Sequence, residues 1–186
     1  MSNFTDFFPA AGGGGGGIPK YAEFTASGTF TPSQDLIDAG GRIAYMIIGG
    51  GERGTGDAGG AGGAVLFGYE TLTSTTGCAV TIGAGGTCDN CDGGDTTVAF
   101  ASAGGTSVTA GGGQGVYYGY NGGGWGHITA DGGTAYSGAM GYGRGGAGGS
   151  NLGGNYNNDG LEGKYGSGSS SAANACDGFV RITWFE

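Results

Sequence analysis

An all-β fold with little or no helix is what this sequence predicts, and three features carry the prediction. Short β-branched and aromatic runs recur between glycine blocks, as in "GRIAYMIIGGG" and "DGFVRITWF". No stretch has the sustained apolar spacing of a long helix. Glycine supplies 52 of the 186 residues, and each glycine in a helix costs about 1 kcal/mol relative to alanine. The strands are expected to pack as a β-sandwich, with a glycine-rich, polyglycine-II-like loop region attached.

The elements follow in chain order. "MSNFTDFFPAAGGGGGGIP" opens with Phe4, Phe7 and Phe8 at i, i+3, i+4 spacing, then Pro9 and a run of glycine. Residues 1–17 thus divide into an aromatic peptide and a flexible tether, and residues 18–186 form the domain. Two readings of the peptide are open: an unstructured terminus, or an anchor that inserts its Phe side chains into a larger assembly. "YAEFTASGTFTP" carries Tyr21, Phe24, Thr25, Thr29, Phe30 and Thr31 around a turn or bulge at Gly28. "GRIAYMIIGGG" reads as a buried strand ending in a glycine turn. "AVLFGYETLT", "GCAVTIGAGG", "DTTVAFA" and "TSVTAGGG" read as further short strands between glycine turns.

Across residues 111–168 the strand signals largely vanish. Short glycine blocks alternate with Tyr, Asn and Ser, and locally the period is near three, as at Gly143, Gly146 and Gly149. Three residues per turn is the period of a polyproline-II-like helix, and such helices pack closely where side chains are absent. The chain then closes on "DGFVRITWF", where Phe179, Arg181, Thr183 and Phe185 alternate with Val180, Ile182 and Trp184, a pattern suited to two-sided burial.

Composition excludes several classes. With only 3 Pro and no sustained G-X-Y period, collagen is out. Aromatic residues reach 11% and charged residues only 11%, the reverse of a disordered chain. Ordering so much glycine is entropically costly, which points to dense backbone hydrogen bonding, oligomerisation, or both. The 15 acidic and 6 basic residues leave a net charge of −9, which argues against nucleic acid as a partner. No apolar run approaches a membrane span, so no membrane partner is expected. "MSNFTDFFPAA" lacks the basic start and apolar core of a signal peptide.

"FTASGTFTP", a strand ending in "IIGGG", "GGAGGAV", "VTIGAGGT" and the terminal "DGFVRITW" occur in that order. Across residues 21–186 the chain resembles the glycine-rich domain of tailed-bacteriophage fibre and other tail-associated proteins. Its middle glycine blocks are also similar to the polyglycine-II layer of T-even-like phage adhesins, whose exposed loops contact receptors. The resemblance implies a virion structural protein near a host-facing tip, assembled in the host cytoplasm and often a homotrimer. Such proteins usually carry a long shaft ahead of this domain. Here residues 1–11 stand in that place, and docking on another fibre, nozzle or capsid protein is the implied use.

Candidate sites are of several kinds. Tyr117, Tyr118, Tyr120, Trp125, His127, Tyr136, Tyr142 and Tyr156, with Tyr165 beyond them, sit among Gly, Ser and Asn. Those are the residue types antibody loops favour, amphipathic rings on adaptable backbone, and they are expected to contact a host-surface glycan or protein. The plainer alternative is that the rings fill space against neighbouring glycine helices. Cys78, Cys88, Cys91 and Cys176 are disulfide candidates, with free thiols and a four-thiolate zinc site as alternatives. Asp89, Asn90, Asp92 and Asp95 offer hard-cation ligand types without an EF-hand pattern, so a solvated acidic turn is expected there. "GTGDAG" matches a phosphate-loop pattern by glycine content alone, with no helix to follow it.

No metal or other cofactor and no catalytic residues are expected. His127, with Asp131 four residues on, shows no sign of the buried carboxylate a Ser-His-Asp site needs. A paired-carboxylate glycosidase is the enzymatic alternative. The expectation is therefore a non-enzymatic, tail-fibre or tail-tip virion protein that attaches to the host surface. The alternative is a capsid or tail decoration or adaptor protein with a purely structural role.

Overall fold

A computed structural model describes residues 17–54, 60–89, 91–114, 125–130, 134–136, 165–166, 168–169 and 174–186. The fold is all-β. Ten strands occur among these residues: β1 (Pro19–Phe24), β2 (Gly28–Phe30), β3 (Arg42–Ile48), β4 (Val65–Thr71), β5 (Cys78–Thr81), β6 (Thr96–Phe100), β7 (Thr106–Gln114), β8 (Trp125–Ala130), β9 (Thr134–Tyr136) and β10 (Phe179–Phe185). They form two five-stranded antiparallel sheets, ordered β1-β10-β3-β4-β9 and β2-β5-β6-β7-β8.

Alternation decides which side of each strand is buried. In β3, Ile43, Tyr45 and Ile47 turn inward; in β10, Val180 and Ile182 do the same. They meet Val80, Val98, Phe100 and Val108 from the other sheet in one core. Tyr45 and Phe100 pack ring to ring across it at 5.4 Å, and Phe30 meets Trp184 at 5.3 Å. β10 is less symmetric than its sequence suggests. Val180 and Ile182 are fully buried, whereas Arg181 on the opposite face is exposed.

A five-residue α-helix, α1 (Gln34–Asp38), closes an end of the sandwich. The segment "SQDLIDAGG" carries its signals. The Ser33 hydroxyl caps the Leu36 N–H at 3.1 Å, Asp35 sits in the first turn, and Leu36 is buried. Gly41 then takes a φ of +67°, where a Cβ would fall 1.8 Å from the Leu72 carbonyl oxygen.

The segments expected to be glycine turns build a layer of their own. Residues 49–54, leaving β3, are hydrogen-bonded to six other segments. Gly49 and Glu52 donate to the Ala64 and Ala61 carbonyls, and Gly50 and Arg53 to those of Gly94 and Cys91. Gly51 and Gly54 donate to Cys176 and Ser169, while Gly50 and Gly51 accept from Gly113 and Gly86. Partners recur every three residues, the period of a polyproline-II-type helix rather than the two of a strand. Such close approach needs bare backbone. A Cβ on Gly50 would lie 2.3 Å from the Ala84 oxygen, and one on Gly93 would lie 2.1 Å from the Gly50 oxygen.

The layer therefore occupies 49–54, 60–64, 83–86, 91–94, 111–113 and parts of 165–178. Gly143, Gly146 and Gly149, the sequence's own suggestion for it, lie outside the described residues. Residues 111–168 also hold two strands that the glycine background hides, β8 and β9. "WGHITA" has the β-branched and aromatic content of a strand, and pairing with β7 makes it one.

Candidate functional site

The molecule has two unlike ends, and the strand registers show which residues belong to each. β3, β5 and β7 run into the glycine layer, while β4, β6 and β10 run out of it. At the opposite end Pro19 pairs with Phe185, Ile18 donates to the Glu186 carbonyl at 2.7 Å, and α1 closes the sheets. The chain thus enters the domain at the end away from the layer. A Cβ on Gly17 would meet that of Phe185 at 3.1 Å. Phe4, Phe7 and Phe8 precede this point and lie outside the described residues.

The aromatic-rich segments depart from the other end. Residues 115–124, with Tyr117, Tyr118 and Tyr120, join Gln114 to Trp125, which are paired neighbours beside the layer. Residues 137–164, with Tyr142 and Tyr156, leave from Tyr136, the partner of Val65 where β4 emerges from the layer. They return at Tyr165, whose ring stacks on Phe179 at 4.2 Å, at the start of β10. Tyr117, Tyr118, Tyr120, Tyr142 and Tyr156 themselves lie outside the described residues. Trp125 and His127 lie on β8 and Tyr136 on β9, the edge strands of the two sheets, rather than in loops. Tyr165 packs on side chains rather than on glycine helices: with Met46 it lies against buried Ile48, Val65 and Phe179.

What holds this end rigid is chemistry that the sequence did not single out. A three-residue period leaves some layer N–H groups to side chains, and acidic residues take several of them. Glu52, buried, accepts from Ala61 N–H at 2.8 Å; Asp95 accepts from Gly112 at 2.9 Å; Asp177 accepts from Gly85 at 2.8 Å. The buried Thr96 hydroxyl takes the Gly83 N–H at 3.0 Å. Asp95 is thus a structural cap and not part of a solvated turn, because burying an unpartnered layer N–H would cost about 1–3 kcal/mol.

Arg53 ties adjoining loops together. Its guanidinium donates to the Thr87 carbonyl at 2.7 Å and to Asn174 Oδ1 at 3.1 Å, and pairs with Asp89 at 3.3 Å. Asp89 is therefore engaged with a cation of the protein's own. Asn90 and residues 55–59 of "GTGDAG" lie outside the described residues.

Of the four cysteines, Cys88 and Cys91 form a disulfide across this loop. Cys78 and Cys176 are not disulfide-bonded, which corrects their place among the candidates. Cys78 begins β5 inside the main core, with its sulfur 3.1 Å from the Ser102 hydroxyl. Cys176 belongs to the layer, and burial, then Asp177 beside it, push its thiol up from the ordinary value. Four thiolates around one zinc are excluded by the same placement. Among the described residues no three His, Cys, Asp or Glu side chains converge as a metal site.

No helix among the described residues is long and apolar enough to cross a membrane. No protein-family model matches the chain, and no curated protein matches it. What the arrangement offers chemically is a stiff platform of backbone from which aromatic-rich segments depart.

Proposed function

We propose that this chain is a bacteriophage virion structural protein of the tail-fibre or tail-tip type, non-enzymatic, that attaches to a host-surface glycan or protein. One observation carries the proposal: the chain enters beside Phe185, while the segments bearing Tyr117, Tyr118, Tyr120, Tyr142 and Tyr156 depart from the opposite, glycine-layer end. A molecule anchored at one end and binding at the other needs this polarity. In the proposed assembly Phe4, Phe7 and Phe8 dock into another virion protein, and the domain works as a homotrimer whose shared burial offsets the entropy of ordering glycine. The engagement of Glu52, Asp95 and Asp177 with backbone N–H groups favours binding over acid–base catalysis.

A ring on a stiff scaffold loses little conformational entropy on meeting a ligand, so each is worth about 1–2 kcal/mol of binding. Tyr118→Ala, Tyr120→Ala and Trp125→Ala are expected to weaken host-cell binding by about 5- to 30-fold each, with the far-UV spectrum and oligomeric mass unchanged. Loss of stability without a separate binding defect, or no host-cell binding by the wild-type protein, transfers the protein to the structural adaptor role.

A further inference from the structure

The Cys88–Cys91 disulfide stands on the far side of the glycine layer from the sheets. Residues 83–86 carry the chain out from β5, and residues 91–94 carry it back towards β6. The turn between them has the thickness of the layer behind it. Thr87, Cys88 and Asp89 are exposed there, whereas Cys91 is half-buried. The other two sulfurs are placed differently. Cys78 lies in the main core, and Cys176 belongs to the layer, where burial, then Asp177, raise its thiol above the ordinary value. A disulfide that holds a fold together typically closes a long loop and is buried. This one has a sequence separation of 3, so its closure removes little chain entropy from the unfolded state, and one of its two residues is exposed. Exposed disulfides are the ones that exchange.

We infer that Cys88–Cys91 is a thiol–disulfide exchange site for small thiols and disulfides of the glutathione class, and that its redox state governs how firmly Arg53 holds this end of the layer. A small thiolate attacks the exposed Cys88 sulfur. The S–S bond breaks, and its electron pair leaves on Cys91, which takes a proton from water. A second thiolate attacks the mixed disulfide and releases the Cys88 thiolate with a small disulfide, so the protein gains the two electrons that the small thiols lose. The reverse sequence closes the pair and reduces a small disulfide. Re-closure is helped by backbone that does not depend on the S–S bond. The Cys91 N–H donates to the Cys88 carbonyl at 2.9 Å, and the Cys91 carbonyl accepts from the Arg53 N–H at 3.0 Å. The two thiols stay neighbours, and closing is an intramolecular step.

The coupling to Arg53 is geometric. Its guanidinium reaches the Thr87 carbonyl and Asp89, the residues on either side of Cys88, and Asn174 on another segment. Its backbone bridges Cys91 and Ser169. Opening the turn slackens Thr87 and Asp89 together, and with them the hold on Asn174. Exchange does not depend on the virion role; only its timing does. In the proposed assembly in a host cytoplasm, a reducing space, the pair folds as a dithiol and closes after release. The two readings fail separately, because exchange is measured on purified protein and attachment on cells.

The test equilibrates the full-length protein in buffers of reduced and oxidised glutathione, alkylates the thiols and maps them by mass spectrometry. Cys88 and Cys91 are expected to open together in the native protein, while Cys78 and Cys176 label at least about tenfold more slowly. Cys91→Ser should trap one glutathione on Cys88, and Cys88→Ser should trap about tenfold less on Cys91. Trypsin reads the coupling, since cleavage follows the population of the opened form. Reduction should speed cleavage after Arg53 about tenfold, with cleavage after Arg42 and Arg181 unchanged. Cys88→Ser/Cys91→Ser should show the faster rate in every buffer. A disulfide that glutathione opens only once urea has unfolded the domain overturns the exchange site. Cleavage after Arg53 at one rate in both redox states overturns the hold on Arg53.

Discussion

Replacing Gly50 by alanine adds one methyl group where the glycine layer leaves no room for it. Its Cβ would stand 2.3 Å from the Ala84 oxygen and 2.9 Å from that of Gly83, roughly 1 Å short of ordinary contact. Both obstacles are backbone, held in turn by neighbours, so no side-chain rotation relieves the clash. Residues 49–54 must shift, and Gly50 itself makes two hydrogen bonds, to Gly94 O at 2.9 Å and from Gly113 N at 2.8 Å. Leaving buried partners unmet costs about 1–3 kcal/mol each, and overpacking adds about 1–3 kcal/mol. The expected loss is about 4 kcal/mol, against a total of about 5–15 kcal/mol for a domain. That corresponds to a fall of about 10 °C in Tm. Gly28→Ala is the control, because its Cβ would be 3.5 Å from the nearest atom, on the Phe24 ring. It should be neutral, or stabilising by up to about 1 kcal/mol. Thermal and urea unfolding of both variants measure the difference. If the two agree within about 0.5 kcal/mol, the layer is not close-packed and the three-residue hydrogen-bond pattern is not what holds this end together.

Asp95→Ala removes the acceptor of the Gly112 N–H and should cost about 1–3 kcal/mol in urea unfolding, an effect that a solvated acidic turn would not show. Reducing the Cys88–Cys91 disulfide, which closes a loop of sequence separation 3, should cost only about 2 kcal/mol by loop entropy, lowering Tm by a few degrees without unfolding the sandwich. The Glu186 carboxylate lies below its usual value because Lys20, then Ser33, hydrogen-bond its charged form. Its contribution is complete above the ordinary value of 4.5 and is lost as pH falls through the lower folded value. Glu186→Gln should therefore flatten the acid limb of Tm against pH.

The sequence by itself determined the class of fold and much of its punctuation. "GRIAYMII", "TTVAF" and "FVRITWF" became β3, β6 and β10 because β-branched alternation is a local property, legible without neighbours. The same local chemistry was present in "SQDLIDAGG" for α1 and in "WGHITA" for β8, where signals existed and the glycine background obscured the second. Of the candidate site, the clustering of rings in residues 117–156 was legible. The end from which they depart was not, since only the pairing of Gln114 with Trp125 and of Val65 with Tyr136 places it. Tertiary structure alone decided which glycines turn and which pack. Glycine has no side chain to carry a pattern, and the partners of Gly50 are Gly94 and Gly113, far along the chain. It likewise decided that Cys88 bonds Cys91 while Cys78 joins the core, and that Glu52, Asp95 and Asp177 cap backbone N–H groups. Each depends on which segments lie side by side, and hydrogen bonds between bare backbones leave almost no trace in residue type.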